Sequence, residues 1–169
     1  MKSDMSNPLT QIPGQNAGAN LNELKEKINN EVTTKETNIQ KIIDFCKEND
    51  EKLDKIIKEY YDILYSIKRN SVRRNTFYKI LEQGVYYLSV ASQQIYHVTT
   101  LAGFRIEKVS DLGLFTILTE LTAAITYTTS AWIYYKECID YFDEKGIGKR
   151  LSNLNDEVIN IYENLVALL

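Results

Sequence analysis

Apolar residues return every three or four positions along most of this chain, the spacing that lines up one face of a helix. The clearest run is 112–142. Leu114, Leu118, Leu121, Ile125, Trp132, Tyr135, Ile139 and Phe142 mark its seam, and Thr128 fills one polar slot. Between Leu112 and Tyr135 the sole charge is Glu120. This stretch predicts a long helix on which the others pack.

Upstream, Asn20 and Glu23 have the spacing of an N-cap with a carboxylate three residues on. No proline follows Pro13, so a helix can run from Leu21 to about Asn70. Its early seam is thin: Leu21, Leu24, Ile28 and Val32. Thr33, Thr34 and Thr37 mark a weak spot where a break is expected to be easiest. From Ile39 the seam strengthens through Ile43, Cys46, Leu53, Ile57, Tyr60, Leu64 and Ile67, with the steps of a bundle or coiled-coil helix. Asp50 interrupts it and reads as a solvated kink or local splay.

A second run joins Phe77, Leu81, Gly84, Leu88, Ala91, Ile95, Val98 and Ala102. Gly84 and Ala91 permit close helix approach. Asn75 or Thr76 is the expected cap before it. Gly103 suits a C-cap and Ser110 or Asp111 an N-cap for the helix that follows. Two helices of similar length joined by a short turn predict an antiparallel hairpin. Gly146 and Gly148 end the central helix near Asp143. A last seam comprises Leu151, Leu154, Val158, Ile161, Leu165 and Leu168, with Asn155 and Asn160 placed off it.

The expected fold is therefore all-α. It is an elongated helical bundle with a long N-terminal helix, a central antiparallel hairpin and a C-terminal amphipathic helix. The expected spans are 20–70, 76–102, 112–143 and 150–168, with no sheet. Residues 1–19 are rich in Asn, Gly, Pro, Ser and Gln. They read as a flexible arm ahead of a single helical domain at 20–169, or as a strap anchored by Leu9 and Ile12.

Composition narrows the function. The net charge of -3 gives no reason to expect nucleic acid as a partner. Cys46 and Cys138 form no CxxC pair, and the single His97 supplies no metal set. Neither GxxxxGK[ST] nor GxGxxG nor HExxH occurs. A di-iron bundle would require Glu-x-x-His pairs, which are missing. No catalytic, cofactor-binding or metal-binding residue is assigned, and no enzyme activity or small-molecule substrate is expected. The first 20 residues hold no apolar signal-peptide core, so secretion by that route is not expected. A cytoplasmic location, or one on the cytoplasmic side of a membrane, is.

Two surfaces are singled out instead. Leu114, Leu118, Leu121, Ile125, Trp132 and Tyr135 form a candidate contact for lipid or for a partner's apolar surface. Lys68, Arg69, Arg73 and Arg74 read either as a solvated helix junction or as a contact for an anionic surface. Residues 112–135 reach the length of a transmembrane helix, but their Thr, Ser and Glu120 make the signal marginal. Residues 77–102 are more polar still, through Lys79, Glu82, Gln83, Gln93, Gln94 and His97. A soluble bundle and a membrane hairpin both remain open. In a hairpin, the basic groups at 68–74 and 145–150 fall at one end.

The run RRNTFYKIL, a hairpin carrying LTAAITYTTSAWIYYKECIDYF, and a final LSNLNDEVINIYENL helix together resemble the SLATT family over about residues 65–165. The resemblance implies a small two-transmembrane-helix effector of a nucleotide-activated conflict system that forms pores. The polar first hairpin helix departs from that pattern. The competing reading is a non-enzymatic structural or interaction protein, such as a minor component of a large virus particle. Both readings need the exposed seams to be buried, by homo-oligomer formation, a larger protein assembly or membrane lipid.

Overall fold

The computed structural model describes residues 13–101, 111–139 and 146–168. Leu9, Ile12, Gly103, Ser110 and Phe142, named above, lie outside them. Four helices occur among the described residues and no strand. They are α1 (Pro13–Ser66), α2 (Val72–Leu101), α3 (Asp111–Cys138) and α4 (Ile147–Val166).

Several boundaries differ from expectation, each for a local reason. Helix α1 begins at Pro13, well before Asn20, so residues 13–19 are helical and not an irregular arm. Proline suits a first turn, where its missing N–H has no partner to lose. The backbone also stays helical through Thr33–Thr37, the stretch where a break would be easiest. Helix α2 begins at Val72, because Ser71 caps it: the Arg74 N–H donates to Ser71 Oγ at 3.2 Å. The two expected caps do other work. Asn75 Oδ1 accepts from Arg69 Nε at 3.0 Å, and the Thr76 hydroxyl donates to the Val72 carbonyl at 2.8 Å. Helix α4 starts after Gly146, whose φ of 65° lies in the left-handed region that glycine adopts without a Cβ clash.

Two compact units divide the chain, Met1–Asn38 and Ile39–Leu169. In the first, every side chain from 19 to 31 is exposed. The second contains the hydrophobic core. There α2 and α3 make the most extensive contact, and α3 and α4 the next. Phe77 meets Tyr135 with ring centroids 5.2 Å apart, and Gly84 faces Thr128, so α2 and α3 run antiparallel. Asn155 on α4 reaches Thr128 and Thr129. The Ile39–Ser66 portion of α1 joins two neighbours. Ser92 Oγ of α2 donates to Asp54 at 3.2 Å, and Arg150 of α4 lies 3.7 Å from Asp62.

Helix α1 buries a stripe wide enough for both. Ile42, Phe45, Ile56 and Ile63 are buried along with the expected Ile43, Cys46, Leu53, Ile57, Tyr60 and Leu64. Asp50 is half-buried, and the helix passes through it without interruption. Burial, then the nearby Asp54 charge, raises its carboxyl above the usual range.

Helices α2 and α3 approach closely at Gly84. A methyl group built on Gly84 would lie 2.8 Å from Thr128 Cγ2 and 3.1 Å from the Thr128 backbone nitrogen. Ala91, Ala124 and Ala131 are fully buried along the same contact. Small residues let the backbones approach, and the approach excludes water from the seam.

Candidate interaction surfaces

Packing of α3 decides which of its residues remain available. Leu114, Leu121 and Tyr135 are buried in the core, while Leu118, Ile125 and Trp132 are half-buried against it. The six residues expected to meet lipid or a partner thus pack on their own chain. The deepest positions are Ile117, Leu121, Ala124, Thr128 and Ala131, one residue out of phase with part of the expected seam. Ala124 and Ala131, spaced seven apart, are the sequence signal for that phase. They are easily passed over because alanine is weakly apolar.

The opposite, outward face of α3 carries Phe115, Thr119, Thr122, Thr126, Ser130 and Ile133, all exposed. Each of its four hydroxyls donates to the carbonyl four residues earlier, at 2.7–2.8 Å. Such back-bonded hydroxyls need no external partner. Glu120 sits at the edge of this face. One of its oxygens is enclosed without a hydrogen-bond partner, and burial raises its carboxyl above the usual range.

Inside the bundle, α3 contributes a polar contact that the sequence pattern missed. Thr128 Oγ1 donates to Asn155 Oδ1 at 2.9 Å, and Asn155 Nδ2 donates to Thr129 Oγ1 at 3.1 Å. Asn155, placed off the seam by its spacing, is buried; Asn160 is exposed. The fully buried Tyr60 hydroxyl approaches Thr128 but closes no hydrogen bond. Burial raises its pKa, with Thr128 opposing and the Glu157 charge adding to the rise. Burial and then Asp50 push the Cys46 thiol up to about 12, which makes it a poor nucleophile. Cys138 is half-buried, and both thiols are free. His97 is exposed on α2. No group of three metal-binding side chains occurs among the described residues.

The basic residues gather where four helix ends converge. A cleft of about 20 Å³, room for one water, is lined by Ser66, Ile67, Arg74, Phe77, Tyr135, Ile139 and Ile147. It touches the ends of α1 and α3 and the starts of α2 and α4. Lys68, Arg69 and Arg73 are exposed around it, and Arg74 is half-buried in its wall. Arg69 is held in place by the Tyr78 ring, 4.1 Å from its guanidinium, as well as by Asn75.

No protein-family model matches the chain. Neither a curated protein nor a solved structure shows significant similarity to it. Among the described residues, no helix is long and apolar enough to cross a membrane.

An apolar stripe also lies exposed on α1. Leu21, Leu24 and Ile28 are 54%, 55% and 49% exposed, in steps of three and four along one helix face. A stripe of that kind normally faces a partner.

Proposed function

We propose that this chain is a non-enzymatic helical interaction protein that self-associates or joins a larger assembly through the early seam of α1. The observation that carries this reading is the exposure of Leu21, Leu24 and Ile28 at helix-face spacing. Leucine and isoleucine each gain ~1.5–3 kcal/mol on full burial, so covering three half-exposed side chains favours association. The outer face of α3 from Phe115 to Ile133 supports the same reading, because its satisfied hydroxyls cost little to desolvate. The role is that of a structural element. It works on the cytoplasmic side and requires no cofactor, metal or spanning helix.

Sedimentation velocity on the full chain tests it. At tens of micromolar the wild type is expected to sediment as an oligomer, and a Leu24→Lys, Ile28→Lys variant as a monomer with unchanged core stability. A wild-type chain that stays monomeric at that concentration would remove the proposal.

A further inference from the structure

The turn between α1 and α2 combines two features rarely exposed together. Val72 and Tyr65 are 83% and 79% exposed, and no other large apolar side chain of the described residues stands as open. Between and beside them lie Lys68, Arg69 and Arg73, all exposed. Ile67 is packed against the core, and its N–H donates to the Leu64 carbonyl at 3.3 Å, so the turn is pinned from below. Arg69 is pre-ordered by Tyr78 and Asn75.

Helices α1 and α3 end here as α2 and α4 begin, so the helix dipoles offset one another and side chains set the local charge. From Ile63 to Leu81 the chain carries Lys68, Arg69, Arg73, Arg74 and Lys79 and no carboxylate. Asp62, a carboxylate nearby, is already paired with Arg150. The whole chain has a net charge of -3. An anionic surface would therefore attract this turn in preference to the chain as a whole, which orients the approach.

We infer that the α1–α2 turn docks peripherally on an anionic phospholipid bilayer, with Lys68, Arg69 and Arg73 meeting lipid headgroups and Val72 and Tyr65 entering the interfacial layer. Charge complementarity selects an anionic partner. The exposed valine favours a bilayer over a nucleic acid, since an aliphatic side chain gains nothing from a phosphate backbone, and a bilayer interface takes up both valine and tyrosine beside the cations. The contact is interfacial and does not depend on oligomeric state, so it goes beyond the self-association proposed above.

Co-flotation of the full chain with vesicles is the test, using phosphatidylcholine alone and phosphatidylcholine with about one-third phosphatidylserine. The wild type is expected to float with the anionic vesicles only, and to be released by high salt. Each cation near such a surface contributes about a fivefold factor. K68A/R69A/R73A is thus expected to bind about 100-fold more weakly, and K68A/R73A, which leaves Arg69 on Tyr78, about 25-fold more weakly. V72S should weaken binding with every charge unchanged. K25A/K27A/K52A, which removes as many exposed charges elsewhere, should bind like the wild type. Because the altered side chains are exposed, circular dichroism melts should coincide. Equal flotation with neutral vesicles overturns the inference. So does retention by K68A/R69A/R73A, or loss by the control triple. If V72S binds as wild type while the cation variants do not, the contact is with a polyanion and the bilayer assignment falls.

Discussion

Thr128 on α3 and Asn155 on α4 share a 2.9 Å hydrogen bond in the core, where both side chains are buried. Removing the Thr128 hydroxyl leaves Asn155 Oδ1 only the longer bond from Thr129, at 3.4 Å, and losing one buried hydrogen bond of this kind costs ~0.5–1.5 kcal/mol. Thr128→Val is expected to destabilise by about that amount in urea titrations. Thr122→Val and Thr126→Val, on the outward face, should lie within ~0.5 kcal/mol of wild type. A Thr128→Val, Asn155→Leu double variant should recover part of the loss, since both polar groups leave together.

Gly84→Ala will discriminate between helix propensity and packing. Propensity alone favours alanine by ~1 kcal/mol. The new methyl group would sit 2.8 Å from Thr128 Cγ2. Thr128 cannot rotate away without losing Asn155, and its backbone nitrogen, 3.1 Å from the same methyl, cannot move alone. Overpacking of this kind costs ~1–3 kcal/mol. The variant is expected to melt below wild type; a higher melting temperature would show that α2 and α3 have room to separate.

Tyr60 offers the opposite case. Its hydroxyl is buried and makes no hydrogen bond. Tyr60→Phe removes that desolvated group and keeps the ring, so it should leave stability equal or raise it by up to ~1 kcal/mol. A loss above ~1 kcal/mol in chemical denaturation would mean that Thr128 bonds this hydroxyl in solution.

Cys46 sets a pH dependence. Its folded-state pKa is raised from 9.0 to about 12 by burial and Asp50. Above pH 9 the unfolded chain releases the thiol proton while the fold retains it, so stability falls as pH rises. The stability is complete below pH 9 and is lost by about pH 12. Three pH units correspond to about 4 kcal/mol. Tyr60 steepens the same alkaline loss above its ordinary pKa, because its shift has the same sign. Denaturant titrations from pH 8 to 12 should show the decline, and Cys46→Ala, though less stable at pH 8, should show a shallower one.

Glu120 responds in the acid range. Burial raises its folded-state pKa, so its charged form disfavours the fold as pH rises through that value. Glu120→Gln is expected to stabilise at pH 7 and to have little effect below the ordinary carboxylate pKa. Melting curves at pH 7 and pH 3.5 check the difference.

The helices were legible because their seams are built from strong apolar residues at regular steps. Leu53, Ile57, Tyr60 and Leu64 announce α1, and Leu151, Leu154, Val158 and Ile161 announce α4. Gly84 and Ala91 correctly marked the close approach of α2. Other features depend on contacts between distant positions. Asn155 is off its seam by spacing, and only the facing Thr128 and Thr129 explain its burial. Ser71 competed with Asn75 and Thr76 as a cap, and no local rule ranks three such neighbours. The surface of α3 was placed on its most apolar stripe, and that stripe is what the chain's own core consumes. Exposed apolar groups such as Val72 belong to no seam, so periodicity does not find them.

The lone stretch of α1 has a thermodynamic consequence. Residues 19–31 have no buried side chain, so their helicity rests on backbone hydrogen bonds and neighbour effects, which give gradual melting instead of a sharp transition. Heating should therefore unwind them first, as a sloping loss of helical signal before the cooperative unfolding of the core. If a second copy covers Leu21, Leu24 and Ile28, that slope becomes concentration-dependent and moves to higher temperature as protein is added. The early part of the melt would then report assembly, and the late part the integrity of the bundle.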